Sequence, residues 1–251
     1  MKQEYDELDR SQDVFFLCSG GRDSTAMVLL AWEQGLEEAT LVFGDTRLNR
    51  IDALGVVERL SAKTGYPYEI VSYSGEQCVK DVLVESFKRI PQAVAYMREH
   101  DIFRRNMFPC CEKLKHGPMN DFVQSKSDNA VFMLGLKGSD SAIHRIYRMN
   151  QLREWNTFYR KHKSTGLLYY YPLRDWTEEQ VNTILRKYGF QNIHSTGCRI
   201  CPIFCLFPSW RERDPETWRR SVEFADRLNI EDHPMYGQQF LDTICPEIVE
   251  G

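Results

Sequence analysis

The 251-residue chain has no run of about 18 apolar residues, so no membrane-spanning helix is expected. Its first twelve residues lack the basic-then-apolar order of a secretion signal. A cytoplasmic location and no membrane partner are therefore expected. Internal repeats and low-complexity segments are absent, as is the Walker loop Gly-x-x-x-x-Gly-Lys-Ser/Thr. A net positive charge is also lacking: the formal charge is −4, which argues against a general nucleic-acid coat. Hydrophobic residues at 42% and charged residues at 27% are ordinary for a globular domain.

Cysteine is not scarce: there are eight. In a reducing compartment, clustered cysteines point to ligands or reactive thiols rather than disulfides. Charge is also unevenly spread. Between His144 and Lys163, six basic residues (Arg145, Arg148, Arg153, Arg160, Lys161, Lys163) meet one acid, Glu154, for a local charge of +5. Trp155, Phe158 and Tyr159 are interleaved with them. Such a segment can hold a phosphate backbone and stack bases, or it can be a solvated helix with a packed aromatic face.

Apolar runs and helical periodicities alternate along the chain. Strands are expected at Asp13–Cys18, Ala39–Phe43, Tyr68–Tyr73, Ala130–Leu136 and Leu167–Leu173. Helices are expected over about 24–34, 50–63 and 77–90, and after the Thr177–Gln180 capping box up to Gly189. This spacing predicts an α/β fold: an open, mainly parallel twisted sheet with helices on both faces. Residues 1–209 are expected to form this domain with its cysteines, and 210–251 a helical or irregular extension. The stretch after Trp210 reads as irregular, with Pro215, Pro234 and Pro246.

Ser19-Gly20-Gly21-Arg22-Asp23-Ser24 lies between the first strand and the first helix. Two glycines let backbone N–H groups approach phosphate oxygens, and the helix start points its positive end at the same anion. Ser19, Ser24 and Thr25 add hydroxyl donors, and Asp23 can orient Mg²⁺ or a loop amide. The alternative is a plain glycine-containing strand–helix turn. Asp45-Thr46 ends the second strand and is either a further nucleotide contact or a simple turn. Cys198-x-x-Cys201 has metal-ligand spacing, and Cys110-Cys111 is a tandem pair upstream. Thiolates suit both an Fe–S cluster and zinc. Cys18 reads as core, and Cys78 has no motif context.

The loop resembles the Ser-Gly-Gly-x-Asp-Ser loop of the PP-loop ATP pyrophosphatases, with Arg22 where lysine is usual. Further segments resemble the PAPS-reductase family. They are Cys110-Cys111-Glu112-Lys113-Leu114-Lys115 with Pro118, Gly135-Leu136-Lys137-Gly138-Ser139-Asp140-Ser141 with Arg145, Tyr171-Pro172-Leu173-Arg174-Asp175-Trp176, and Gly197-Cys198-Arg199-Ile200-Cys201-Pro202. Lys137 stands in place of the family's arginine and Asp140 in place of its glutamate. The resemblance implies that Lys137 and Arg145 grip the anionic end of the substrate. It also implies that Asp45, Thr46 and Gly135 line the nucleotide. In the iron–sulfur branch, Cys110, Cys111, Cys198 and Cys201 would jointly hold a [4Fe–4S] cluster, with zinc or no metal as alternatives and Cys205 as a spare ligand.

Two branches of the family fit. Assimilatory APS and PAPS reductases use a C-terminal cysteine within Glu-Cys-Gly-Leu/Ile-His. Cys245 stands in about that place, without the glycine and histidine, and no neighbour lowers its pKa. The sulfur-insertion enzymes of DNA phosphorothioation systems, of the Dnd and Ssp type, join a PP-loop to sulfur transfer. They imply ATP with Mg²⁺, a cysteine desulfurase or other sulfur donor, and DNA or another nucleic acid as partner. Homo-oligomerisation is left open. A third reading is a non-catalytic nucleotide- or nucleic-acid-binding subunit.

Overall fold

A computed structural model describes residues 5, 8–9, 11–100, 108–137, 143–161, 166–193, 197–206 and 210–229. The elements in order are β1 (Asp13–Cys18), α1 (Arg22–Glu33), β2 (Thr40–Asp45), α2 (Ala53–Thr64), β3 (Tyr68–Ser72), α3 (Val79–Lys88) and α4 (Ile90–His100). Next come α5 (Pro109–Cys111), a π-helical turn (Glu112–His116), α6 (Gly117–Gln124), β4 (Ala130–Met133), α7 (Ile143–Glu154), β5 (Tyr159–Lys161) and β6 (Leu168–Tyr170). The chain continues with α8 (Glu178–Lys187), α9 (Pro202–Leu206), α10 (Trp210–Arg213) and α11 (Pro215–Asn229). No helix among the described residues is long and apolar enough to cross a membrane.

Two units emerge from the packing. The first comprises 1–44, 51–71 and 121–196, and the second 45–50, 72–120 and 197–251. The expected 209/210 boundary falls inside the second unit.

The first unit carries the sheet, ordered β3-β2-β1-β4-β6-β5. β1 runs parallel to both β2 and β4, and β4 parallel to β6. β5 pairs antiparallel with β6, at the edge of the sheet. Alternation along β1 explains the two covered faces. Phe16 points into a core with Met27 and Leu29 of α1, Val57 of α2 and Val181 of α8. Phe15 and Leu17 face the other way, against Phe122 and Val123 of α6 and Phe132 of β4. α8 opens with a complete capping box: the Gln180 N–H donates to Thr177 Oγ1 at 3.3 Å, and the Thr177 N–H donates to Gln180 Oε1 at 2.8 Å.

The second unit has its own core of Val82, Leu83, Phe87, Phe108, Leu114, Ile200, Phe204 and Phe224. Phe87 and Phe224 meet edge to face at 4.5 Å between ring centroids.

Three expectations are corrected. The stretch after Trp210 is not irregular: α10 and α11 make it helical through Asn229, because Pro215 sits at the helix start, where its missing N–H costs nothing. The strands expected to run to Leu136 and Leu173 end at Met133 and Tyr170, where the chain leaves the ladder to build loops. The basic segment is not one helix but α7, a turn through Asn156 at φ 47°, and β5. An edge strand tolerates charged side chains, so Tyr159–Lys161 shows no apolar alternation to read.

Phe16 is fully buried, so Phe16→Ala should cost about 3–5 kcal/mol in a urea unfolding titration. Ile51 is 81% exposed, and Ile51→Ala should change stability by less than about 0.5 kcal/mol.

Candidate functional site

The strand order turns at β1 and β4, and the loop that follows β1 opens at their carboxyl ends, where open α/β sheets bind ligands. The loop turns sharply at Gly20, with φ 71°, and a Cβ there would stand 2.2 Å from the Ala53 carbonyl oxygen. Only glycine fits that approach. Gly21 is the N-cap of α1 and provides no side-chain cap. The first-turn N–H groups therefore stay available to an anion. Ser24 Oγ donates to the Gly21 carbonyl at 3.0 Å and accepts from the Ser19 N–H at 3.3 Å, which holds the loop closed. The Thr25 hydroxyl is buried without a hydrogen-bond partner among the described residues.

Gly135 follows β4 and brings its loop onto this helix start. A Cβ at Gly135 would lie 2.9 Å from the Asp23 carbonyl carbon and the Ser24 nitrogen. That contact delivers Lys137, whose side chain is only 6% exposed. Its Nζ pairs with Asp23 Oδ2 at 2.8 Å and with Glu178 Oε2 at 3.1 Å. The other oxygen of Glu178 pairs with Arg22 Nη2 at 2.8 Å, and Arg22 also donates to Asn182 Oδ1. The buried ammonium thus has two carboxylates within reach, Asp23 and Glu178. Arg22, Asp23 and Lys137, distant in sequence, are thus brought together. Glu178 and Asn182 were not singled out beforehand. Their one signal was the i, i+4 spacing on a helix whose opening read only as a capping box.

The Tyr171–Trp176 segment sets the start of α8. Arg174 is buried, lies 4.1 Å from the Phe158 ring centroid, and donates to the carbonyls of Leu152 at 3.3 Å and Thr157 at 2.6 Å. Burial raises the Asp175 pKa, but hydrogen bonds from Arg174 and Arg153 outweigh it and hold the carboxyl below its usual value. The motif latches the turn before α8 onto the end of α7 and the start of β5.

Asp45 and Thr46 end β2 and belong to the second unit. Asp45 Oδ1 accepts from the Arg47 N–H at 2.8 Å, and Thr46 N–H donates to Asn49 Oδ1 at 2.7 Å. Both side chains organise their own turn. Arg145 lies on α7 with its side chain outside the described residues, and Cys245 lies outside them altogether.

In the second unit, Cys110, Cys111, Cys198, Cys201 and Cys205 share one apolar cluster. The Cys110 thiol is pushed far up, first by its hydrogen bond with Cys111, then by burial and the fields of Cys111 and Cys198. Cys201 is raised first by burial, then by the fields of Cys198 and Cys111. Cys205 is pushed up to about 12, mainly by burial and then by Asp226. Cys18, on β1, is raised by burial alone and is core. Cys78 is exposed. Among the described residues, no group of three or more His, Cys, Asp or Glu side chains is arranged to grip a metal ion. The donor set nevertheless suits soft metal chemistry: four thiols share one apolar cluster, and thiolates are soft ligands.

Two serines fix the backbone of this cluster, and neither was anticipated. The Cys110 N–H donates to Ser86 Oγ at 2.8 Å, and Ser86 Oγ donates to the Val82 carbonyl at 2.7 Å. The Cys201 N–H donates to Ser221 Oγ at 2.9 Å, and Ser221 Oγ donates to the Thr217 carbonyl at 2.6 Å. A π-helical turn follows the tandem cysteines directly, a feature common at functional positions.

A crevice loop of this kind on a mainly parallel sheet defines a protein of the PP-loop α/β class. Residues 13–244 match the phosphoadenosine phosphosulfate reductase domain, and the chain belongs to that family. No curated protein matches the sequence. Similar solved structures include phosphoadenylyl-sulfate reductase from Candida auris in a phosphate complex, at 12% identity and TM-score 0.45, covering 70% of this chain and 72% of that one. The U34-tRNA thiolase NcsA from Methanococcus maripaludis with its [4Fe-4S] cluster aligns at 16% identity and TM-score 0.46, covering 89% and 74%. NH3-dependent NAD synthetase from Campylobacter jejuni aligns at 12% identity and TM-score 0.41, covering 97% and 87%. These likenesses are too slight to transfer chemistry to this chain.

Gly135→Ala should cost about 1–3 kcal/mol in urea unfolding, because backbone blocks the added methyl. Unchanged stability would show that the loop after β4 does not press on α1. Ser221→Ala should cost about 1–3 kcal/mol by stranding the buried Cys201 N–H, read from the same titration.

Proposed function

We propose that this enzyme cleaves ATP to AMP and pyrophosphate in order to activate an acceptor for sulfur transfer. The observation that carries the reading is the delivery of Lys137 to Asp23 at the uncapped start of α1. The first-turn N–H groups and the Ser19, Ser24 and Thr25 hydroxyls would hold the pyrophosphate. Gly20 and Gly21 allow the close approach, and Gly135 keeps the second loop against it. Arg22, Lys137 and Arg145 would meet the charge that develops on the leaving pyrophosphate. Asp23 would help place Mg²⁺.

In the balanced reaction, an acceptor oxygen attacks the α-phosphorus and the bond to the β-phosphate oxygen breaks. Pyrophosphate leaves, and the acceptor carries AMP. The terminal sulfur of a persulfide, such as that of a cysteine desulfurase, then displaces AMP, and a second thiol cleaves the sulfur–sulfur bond to the carrier, leaving reduced sulfur on the acceptor and a disulfide on the carrier. Cys110, Cys111, Cys198 and Cys201 would hold a [4Fe–4S] cluster, or zinc in its place, with Cys205 adjacent. Such a cluster, when bound, supplies iron to which sulfur binds. The gathering of four thiols in one apolar setting supports this.

A nucleic-acid acceptor, as in DNA phosphorothioation, is supported by the end of α7 and by β5. Trp155 is 57% exposed and Tyr159 45% exposed, with Arg160 and Lys161 alongside. Exposed rings between cations suit base stacking and phosphate contact.

A second reading is a sulfonucleotide reductase acting on APS or PAPS, favoured by the family match over 13–244. There Lys137 and Arg145 would grip the sulfate end and Cys245 would attack sulfur.

Protein purified without oxygen, given Mg²⁺ and α-labelled ATP, should yield AMP and pyrophosphate. Asp23→Ala should lower the rate by about 100-fold or more, the scale of losing a group that organises phosphoryl transfer. Sulfite from labelled APS or PAPS without ATP cleavage, abolished by Cys245→Ser, would replace this reading with the reductase. Cys198→Ala should abolish the visible absorption of reconstituted cluster while leaving ATP cleavage detectable.

A further inference from the structure

We infer that Glu178 is an anion placeholder: in the nucleotide-free protein its carboxylate occupies the position, between Arg22 and Lys137, that a polyphosphate oxygen pair must take. The inference rests on the reading that the start of α1 receives a polyphosphate. It adds a residue that competes with the ligand rather than one that binds it.

The geometry is that of a two-point clamp. Each oxygen of one carboxylate meets a different cation, Oε1 with Arg22 at 2.8 Å and Oε2 with Lys137 at 3.1 Å. A phosphate group offers the same pair of oxygens to the same pair of cations. Both cations sit where the uncapped first turn of α1 adds its own positive field. The buried Thr25 hydroxyl in that turn has no partner among the described residues, an unfilled donor beside the same helix start.

Neither cation needs Glu178 for support. Lys137 keeps Asp23 at 2.8 Å when Glu178 leaves, so the buried ammonium is still neutralised. Arg22 keeps Asn182. Glu178 itself is 52% exposed in its side chain and is the first residue of α8. Its departure is a change of rotamer into water, and the helix stays capped by Thr177 and Gln180. The carboxylate side of these two pairs is open to water, which screens it and lets Glu178 exchange. The Asp23–Lys137 pair, less exposed on its carboxylate side, is the fixed half of the arrangement, and Glu178 is the exchangeable half.

The consequence is a threshold on ligand charge. A monoanion replaces Glu178 one charge for one and gains little. A pyrophosphate-bearing ligand carries more charge than the carboxylate it expels, so it alone gains strongly at the two cations. Apparent affinity falls by the fraction of molecules in which Glu178 holds the position.

The test is equilibrium binding of inorganic pyrophosphate, by calorimetry, to wild type, Glu178→Gln and Glu178→Asp, with thermal unfolding checked in parallel. Glu178→Gln should bind pyrophosphate about fivefold tighter or more, a typical size for removing a coupled competitor. Glu178→Asp is too short to bridge both cations and should fall between. A role in supporting Arg22 and Lys137 predicts the opposite sign, so weaker or equal binding by Glu178→Gln overturns the inference. Binding by wild type with no tightening in Glu178→Gln defeats the placeholder alone. No binding by any of the three proteins defeats both the placeholder and the phosphate-site reading. Binding by Glu178→Gln only would support the placeholder in its strongest form.

Discussion

The ion pair between buried Lys137 and half-buried Asp23 is the interaction on which the candidate nucleotide site depends. A lysine ammonium at 6% exposure is tolerated only if a carboxylate stays within reach. That requirement ties the loop after β4 to the first turn of α1. Gly135 makes the approach possible by having no side chain to collide with Asp23 and Ser24. The pair also leaves the rest of the first turn uncapped, so the electrostatics favour an incoming anion without a competing side-chain cap.

α8 supplies the other half of the electrostatics. Its start is set by the Arg174 latch and its first turn by the Thr177–Gln180 box. Glu178 can therefore sit opposite two cations from other elements while its own helix remains fully capped. A site assembled from three backbone segments gains its order from packing, and its exchangeable part is the one side chain left half in solvent.

The second unit solves a different problem by similar means. Burying thiols among phenylalanines and leucines disfavours thiolates, which is the main reason the Cys201 pKa is raised, whereas Cys110 is raised first by its hydrogen bond with Cys111 and then by burial. Their backbone N–H groups would be stranded in the same apolar setting. Ser86 and Ser221, each on a helix and each returning its proton to the carbonyl four residues back, satisfy them. The backbone at Cys110 and Cys201 is thus held by neighbouring helices.

The mainly parallel sheet, the loop after β1 and the thiol pairs were legible in the sequence. Each rests on local physics: apolar runs make strands, two glycines make a turn, and Cys-x-x-Cys spacing gathers two sulfurs. The sequence likewise marked Lys137 and Arg22 as basic residues near a phosphate loop. It did not show Glu178 or Asn182 at the site, nor Ser86 and Ser221 under the cysteines, nor Asp45 and Thr46 occupied with their own turn. It also misread the helices after Trp210 and the edge strand β5, where polarity masked the pattern. What the sequence determined by itself were the elements and the chemical groups available. What only the tertiary structure decided was which charges neutralise one another, because pairings such as Lys137 with Asp23, 114 residues apart, follow from packing and carry no periodicity along the chain.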